Sequence, residues 1–385
     1  MARRRLLVLL AVMLLLGAGA ASRPCRRAIE TMELLGDLGT SAAAAQVDPA
    51  DAASLRQSVD FAVADRRYAA DLYLADAAPR AALLLVPGLA PDGKDDRRLV
   101  DLAVILARAR FAVLVPDIAS LRAQRVSADN IRQIADALGY LIETEGKVAS
   151  TGGVRRPVGI AAISYAVGPA LLATLDPALQ GRVDFLVGIG GYYDVTAVIT
   201  YFTTGFYRER PEQPWVPGTP NDYGKWLFVG ANSDAVMDMR DRVTLTAIAA
   251  RRRADPAADL GDLVPLLGPQ GHSVYSLLAN HDPDRTVDLI AALPQHLRDS
   301  FEALDLRKRD LAGAPRNVIL VHGRDDRIIP AGESRNLAAA LPAGRSTLYL
   351  VDHLAHADLE PGDWRDVLVL WLAAYRLLEL RDGAA

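Results

Sequence analysis

From residue 81 onward the chain alternates solid apolar runs with amphipathic stretches. ALLLVPG, FAVLVPD, VGIAAIS and DFLVGIGG show no polar alternation, and NVILVHG (317–323) and STLYLVD (346–352) repeat the pattern later. Strands read this way when helices cover both faces of a parallel sheet. The 3.6-residue spacing predicts helices over 95–109, 127–143, 165–175, 332–341 and 362–380. Upstream, SVDFAVADRRYAADLYLAD alternates on both sides of Asp65-Arg66-Arg67, which predicts an antiparallel hairpin. After residue 195 the rhythm breaks and resumes only near 315. The simplest architecture is an α/β sheet built from 55–195 and 315–385, with a largely helical lobe, 196–314, inserted between two strands.

The N-terminal region has a different character. Residues 3–5 are all arginine, 6–16 are apolar, and 17–22 are small. This is the layout of a signal peptide, with Ala18 and Ala20 placed for a cut after Ala20. It also falls only slightly short of a membrane span, so 1–22 is either an export signal or an uncleaved membrane anchor. Both readings put the folded part outside the cytoplasm: periplasmic, secreted or tethered to a membrane. Residues 23–54 read as a short helix, RRAIETMELLG, followed by a small-residue linker.

Composition narrows the function. With 385 residues, 51% of them hydrophobic, the chain can bury a large core, and its net charge of −4 leaves no basic stripe for a phosphate backbone. Nucleic acid is therefore not expected as a partner. Cys25 is the only cysteine, which excludes an intrachain disulfide and a cysteine nucleophile in the folded domain.

One polar residue interrupts the apolar pattern where chemistry is expected. Ser164 stands where the strand VGIAAIS meets the helix that follows, at the carboxyl edge of the sheet, where open α/β sheets bind ligands. Ala162 and Ala166 keep both flanks small, and Gly168 lets the helix approach closely. A serine capping the helix would satisfy the same local pattern. A second serine, in Gly271-His272-Ser273-Val274-Tyr275, lacks a preceding strand and has a bulky neighbour, so Ser273 is expected to be a residue of the lobe.

With these residues the chain resembles the α/β-hydrolase fold serine hydrolases, AISYA being similar to their G-x-S-x-G nucleophile elbow with alanine at both glycine positions. The resemblance implies a catalytic triad in the order serine, acid, histidine. VILVHGRDDRIIP resembles the family's acid loop and maps the acid onto Asp326, leaving Asp325 in solvent. Asp194, at the end of GGYYD, is the competing acid. YLVDHLAHADL resembles the histidine loop and maps the base onto His356 rather than His353. Two acids in a surface turn, or two histidines holding zinc, are the alternative readings of these segments. The resemblance also implies an oxyanion hole from the backbone N–H groups of Leu89 and Tyr165.

The lobe is dense in aromatic residues from Tyr192 to Phe228. They form either the lobe's own core or a lid over Ser164, with Tyr201, Phe202, Phe206 and Tyr207 as the expected substrate-binding group. The function implied is cleavage of a small-molecule carboxylic ester, lipid-like esters included, through an acyl-enzyme and without metal or organic cofactor. An acyltransferase using the same triad and a non-catalytic binding protein of the same fold are the alternatives.

Overall fold

The computed structural model describes residues 22–42, 47–146, 155–210, 212–220, 225–226, 232–352, 354–355, 358–359 and 364–383. A hairpin of β1 (Arg56–Val63) and β2 (Arg66–Tyr73) opens the sheet. Its turn falls on Ala64-Asp65, one residue before the predicted Asp65-Arg66-Arg67, because Arg66 already pairs with Val63. Ala64 takes the positive φ, +53°, that so short a connection requires.

Strand β2 runs antiparallel to β4 (Phe111–Pro116), and every later pairing is parallel. With β3 (Ala81–Val86), β5 (Val158–Ile163), β6 (Phe185–Ile189), β7 (Asn317–Gly323) and β8 (Ser346–Val351), the order across the sheet is β1-β2-β4-β3-β5-β6-β7-β8. All six residues of β3 and of β4 are buried, as their unbroken apolar composition predicts.

Alternate residues of each strand feed two cores. Leu84, Val86, Leu114, Ile160 and Leu186 point to a core shared with helices α4 (Asp129–Leu141), α5 (Val167–Thr174) and α11 (Ala331–Ala340). Leu83, Leu85, Val113, Val115 and Ile319 point the other way, to α1 (Arg23–Ala42), α3 (Arg97–Arg108) and α12 (Trp364–Arg381). The sheet is thus covered on both faces.

The stretch expected to be a short helix and a linker is more ordered than its composition implies. Helix α1 continues to Ala42, and Leu34, Leu35 and Leu38 pack on the second core. Asp48 caps a further helix, α2 (Pro49–Leu55), accepting the Ala50 N–H at 2.8 Å, with Pro49 in the first turn. The predicted signal or anchor, residues 1–21, lies outside the described residues. Among those described, no helix is long and apolar enough to cross a membrane.

Between β6 and β7 the chain leaves the sheet. Helices α6 (Val195–Thr204), α7 (Met239–Ala254), α8 (Pro269–Leu278), α9 (Thr286–Ala291) and α10 (Gln295–Leu304) carry most of this insertion, with a two-stranded ribbon pairing Phe206–Tyr207 with Val216–Pro217. Trp226, Val236, Leu245, Ile248 and Leu278 give it a small core of its own, while Leu304 and Leu306 join the first core.

Candidate active site

Ser164 is the strained residue at the end of β5. Its φ is +57°, in the left-handed region, and it opens a single tight turn, Ser164–Ala166, that leads directly into α5. A residue with a Cβ costs about 1–2 kcal/mol there. The buried strand before it and the buried helix after it hold that conformation. An ordinary helix cap sits in the extended region, so helix capping does not explain the serine. Ser164 itself is only half-buried.

The two alanines are compatible with this turn. Ala166 has φ −64°, a right-handed value that any residue adopts, and Ala162 lies in regular strand. Neither needs a glycine's left-handed freedom. Close packing falls instead on Gly168, where an added Cβ would come within 2.3 Å of the Tyr192 ring. Tyr192 covers the helix start from the insertion side, and its hydroxyl donates to the Leu304 carbonyl at 3.1 Å.

Tyr165 turns its side chain away from the crevice into the first core. Its hydroxyl is 3.1 Å from Asn130 Oδ1 and accepts the Ser127 N–H at 3.2 Å, and its ring stacks on Tyr192. Burial pushes its phenol pKa up. The side chain therefore acts as a peg that fixes the turn. On the other side, the loop after β3 passes against the serine: a Cβ on Gly88 would lie 3.3 Å from the Ile163 carbonyl oxygen and 3.4 Å from Ser164 Cβ. Leu89, next in this loop, is half-buried against the first core.

The loop after β7 holds a buried carboxylate. Asp326 Oδ1 accepts the N–H groups of Ile328 and Ile329 at 2.8 and 3.0 Å, while Asp325 is exposed. Asp326 Oδ2 lies 3.3 Å from Nε2 of His322, a fully buried residue of β7. That nitrogen donates to the Ile329 carbonyl at 2.9 Å, and Nδ1 lies 2.7 Å from the Ser334 hydroxyl. His322 and Ser334 thus brace the turn that presents Asp326. Sequence reasoning misses both, since a histidine within a buried strand reads as part of the apolar run.

Asp194, the competing acid, has other work. It caps α6, accepting the Ala197 N–H at 3.1 Å, and pairs with Arg307 at 2.9 Å. Burial raises its pKa, partly offset by Arg307. Ser273 lies inside α8 and donates to the Gln270 carbonyl at 2.8 Å, a helical serine as expected. His353 and His356 lie outside the described residues. Their neighbour Leu354 is described, and its carbonyl oxygen would be 1.8 Å from a Cβ on Gly323, so Leu354 lies against the end of β7, three residues before Asp326. Among the described residues, no group of three His, Cys, Asp or Glu side chains could hold a metal ion.

Of the aromatic group, Tyr201 is buried and meets Tyr207 edge-on at 5.8 Å. Burial is the main cause that pushes its phenol up to about 12. A Cβ on Gly218 would lie 2.8 Å from its ring, and Arg327, next to Asp326, donates to the Thr219 carbonyl at 2.9 Å, so α6 is linked to the acid turn through 218–219. Phe202, Phe206 and Tyr207 are half-buried.

The strand order, the single antiparallel edge hairpin and a left-handed serine between β5 and its helix together decide the architecture. The fold is that of the α/β-hydrolases. No sequence-family model matches the chain, and no curated protein does. Solved structures similar to it include a 2,6-dihydroxy-pseudo-oxynicotine hydrolase (13% identity, TM-score 0.44, covering 84% of this chain and 68% of the other). A Pyrococcus furiosus esterase (10%, 0.44, 86% and 94%) and a dienelactone hydrolase from Anabaena variabilis (14%, 0.42, 85% and 97%) are similar to the same degree. Scores of this size carry no weight beside the strand order itself.

One further group of this α/β-hydrolase fold titrates in an accessible range. Glu333, fully buried in the first turn of α11, accepts the N–H groups of Tyr193 and Asp194 at 2.9 and 2.7 Å, and so ties the root of the insertion to the helix after the acid turn. Burial is the main cause that raises its pKa from 4.5 to about 8. Since the folded value exceeds the unfolded one, its contribution to stability is complete below 4.5 and is lost as pH rises through 8. Glu333→Gln keeps an oxygen acceptor but cannot ionise. Its melting temperature should therefore gain on the unmutated protein between pH 5 and pH 8, measured by calorimetry; a gap independent of pH would contradict the assignment.

Proposed function

We propose that this chain is a serine hydrolase that cleaves a carboxylic ester through an acyl-enzyme, with Ser164 as nucleophile, His356 as general base and Asp326 as the acid that orients it. The observation that carries the reading is the left-handed φ of Ser164 at a strand-to-helix turn, because strain of this kind is retained where it presents a reacting group. A hydroxyl is a weak nucleophile at neutral pH. His356 takes its proton during attack on the carbonyl and returns it to the leaving alcohol, and water then repeats the sequence on the acyl-enzyme.

The turn that makes Ser164 prominent also supports an oxyanion hole. The Tyr165 N–H follows the nucleophile at the start of a helix, and the Gly88-Leu89 segment passes within contact of the serine, which favours the Leu89 N–H as second donor. Binding of Asp326 Oδ1 by two backbone N–H groups favours its ionised form, the state needed to steady an imidazolium. The proposed site of action is extracytoplasmic, with residues 1–22 as signal or anchor.

The acyl group is proposed to rest on Tyr201, Phe202, Phe206 and Tyr207. Tyr201 packs on Gly218, whose neighbour Thr219 accepts from Arg327 of the acid turn, which supports the placement. Each buried methylene contributes about 0.8 kcal/mol, so four of them, acetyl to hexanoyl, are worth up to roughly 3 kcal/mol. Hydrolysis of p-nitrophenyl esters should show kcat/KM rising along that series, and Phe202→Ala should flatten the rise. Ser164→Ala should remove turnover while Ser273→Ala leaves it. A falling series would contradict an apolar acyl site, and turnover unchanged in Ser164→Ala would overturn the function.

A further inference from the structure

The face of the sheet that carries α1 and α12 leaves large apolar side chains in solvent. On α12, Trp364 (67% exposed), Val367 (56%), Leu368 (49%) and Leu372 recur at helical spacing along the first half of the helix. On α1, Ile29 and Met32 (68% exposed) lie opposite the buried residues Arg27, Thr31 and Leu34. The two helices are firmly joined. Arg27 reaches Glu379 at 3.4 Å and Asp382 at 3.3 Å and stacks over the Tyr375 ring, while buried Arg381 pairs with Glu30. The exposed residues therefore belong to one packed unit and not to a frayed end. Soluble surfaces rarely gather such side chains without a partner.

The sequence names the partner. The apolar residues 6–16 end only residues 17–22 before α1, and a linker of that length spans at most about 20 Å even when fully extended. If 6–16 lie in a bilayer, the start of α1 cannot leave its surface. We propose that the α1–α12 face docks on a lipid bilayer, with Trp364, Val367, Leu368 and Met32 entering the headgroup region. This rests on the reading of residues 1–22 as a retained anchor. Arg23 and Arg26 are exposed on α1 together with Glu33 and Asp37, and on α12 the exposed Arg365 lies 5.6 Å over the Trp364 ring. Tryptophan with arginine is the composition of an interfacial belt, where the ring sits at headgroup level and the guanidinium meets phosphate. The hydrolase would then be held in one orientation at the membrane rather than swinging on its tether.

The test uses the full chain, with Cys25→Ser to remove the native thiol and one new cysteine per variant, Leu368→Cys, Met32→Cys or Asp65→Cys. Each is labelled with an environment-sensitive fluorophore. The proteins are incorporated into vesicles of phosphatidylcholine and phosphatidylglycerol, with or without doxyl-labelled lipid. All three sites are solvent-exposed, so the labels do not disturb the core. The expected result is a blue shift and doxyl quenching at positions 368 and 32 and neither at 65, with stronger quenching by a doxyl group near the headgroup, since an interfacial helix sits about 5–10 Å deep. Vesicle-bound protein whose 368 and 32 labels behave like the 65 label would overturn the docking while leaving the anchor. A blue shift without doxyl quenching, accompanied by crosslinking through position 368, would overturn it in favour of a second copy of the chain. Failure to float with vesicles would overturn both anchor and docking.

Discussion

On the proposed triad, Asp326→Asn should lower kcat for ester hydrolysis by about four orders of magnitude with little change in KM, because an amide would not hold the proposed base, His356, in the tautomer that accepts the serine proton. The substitution is nearly isosteric. The new amide would keep an oxygen for the Ile328 and Ile329 N–H groups, while its NH2 would face the His322 N–H that Asp326 Oδ2 now meets at 3.3 Å, so a modest fall in melting temperature should accompany the much larger loss of kcat. Asp194→Asn gives the opposite signature. An asparagine would still cap α6 but would lose the ion pair with Arg307, so the change should reduce stability modestly with only a small effect on kcat. Steady-state kinetics and thermal melts on the two variants separate the roles, and a crippled Asp194→Asn beside an active Asp326→Asn would move the acid.

The second large effect comes from a glycine. Gly323 ends β7, and a Cβ there would lie 1.8 Å from the Leu354 carbonyl oxygen, a backbone atom that cannot swing aside. Gly323→Ala must push Leu354 away from the sheet. Overpacking of this kind costs about 1–3 kcal/mol. The loss of activity should be larger than that figure suggests, because Leu354 leads into His356, and a displacement of about 1 Å at a reacting group costs on the order of 100-fold in rate. A variant that melts a few degrees early yet keeps full kcat/KM would show that this strand crossing does not position the base.

The strands are legible because burial on both faces removes polar alternation, and β3 and β4 fall on the apolar parts of the runs ALLLVPG and FAVLVPD, with Pro87, Gly88 and Asp117 left to the loops. Ser164 is legible for a related reason. It is a polar residue with small neighbours at the point where a buried strand must turn into a buried helix. What periodicity does not show is who touches whom across the fold. His322 and Ser334 brace the acid turn from twelve residues apart, and Glu333 grips the backbone of Tyr193 and Asp194 from a different strand connection. Neither contact leaves a mark in a local window. The stretch 37–54 misleads differently. Its alanines, glycines and serines resemble a linker, yet Leu38 packs on the second core, and Asp48-Pro49 is a helix-start signal that a closer reading of caps finds. Gly168 reads as permitting helix and sheet to close, whereas the atoms it makes room for belong to Tyr192.

The central claim is that Ser164 is a nucleophile, and covalent capture tests it most directly. The full-length protein is treated with a fluorophosphonate, digested, and the modified peptide sequenced by mass spectrometry. The expected result is one adduct per chain, on Ser164, lost when the reagent is added to heat-denatured protein. No adduct on the native chain, or an adduct on Ser273 or another serine with Ser164 unmodified, would contradict it.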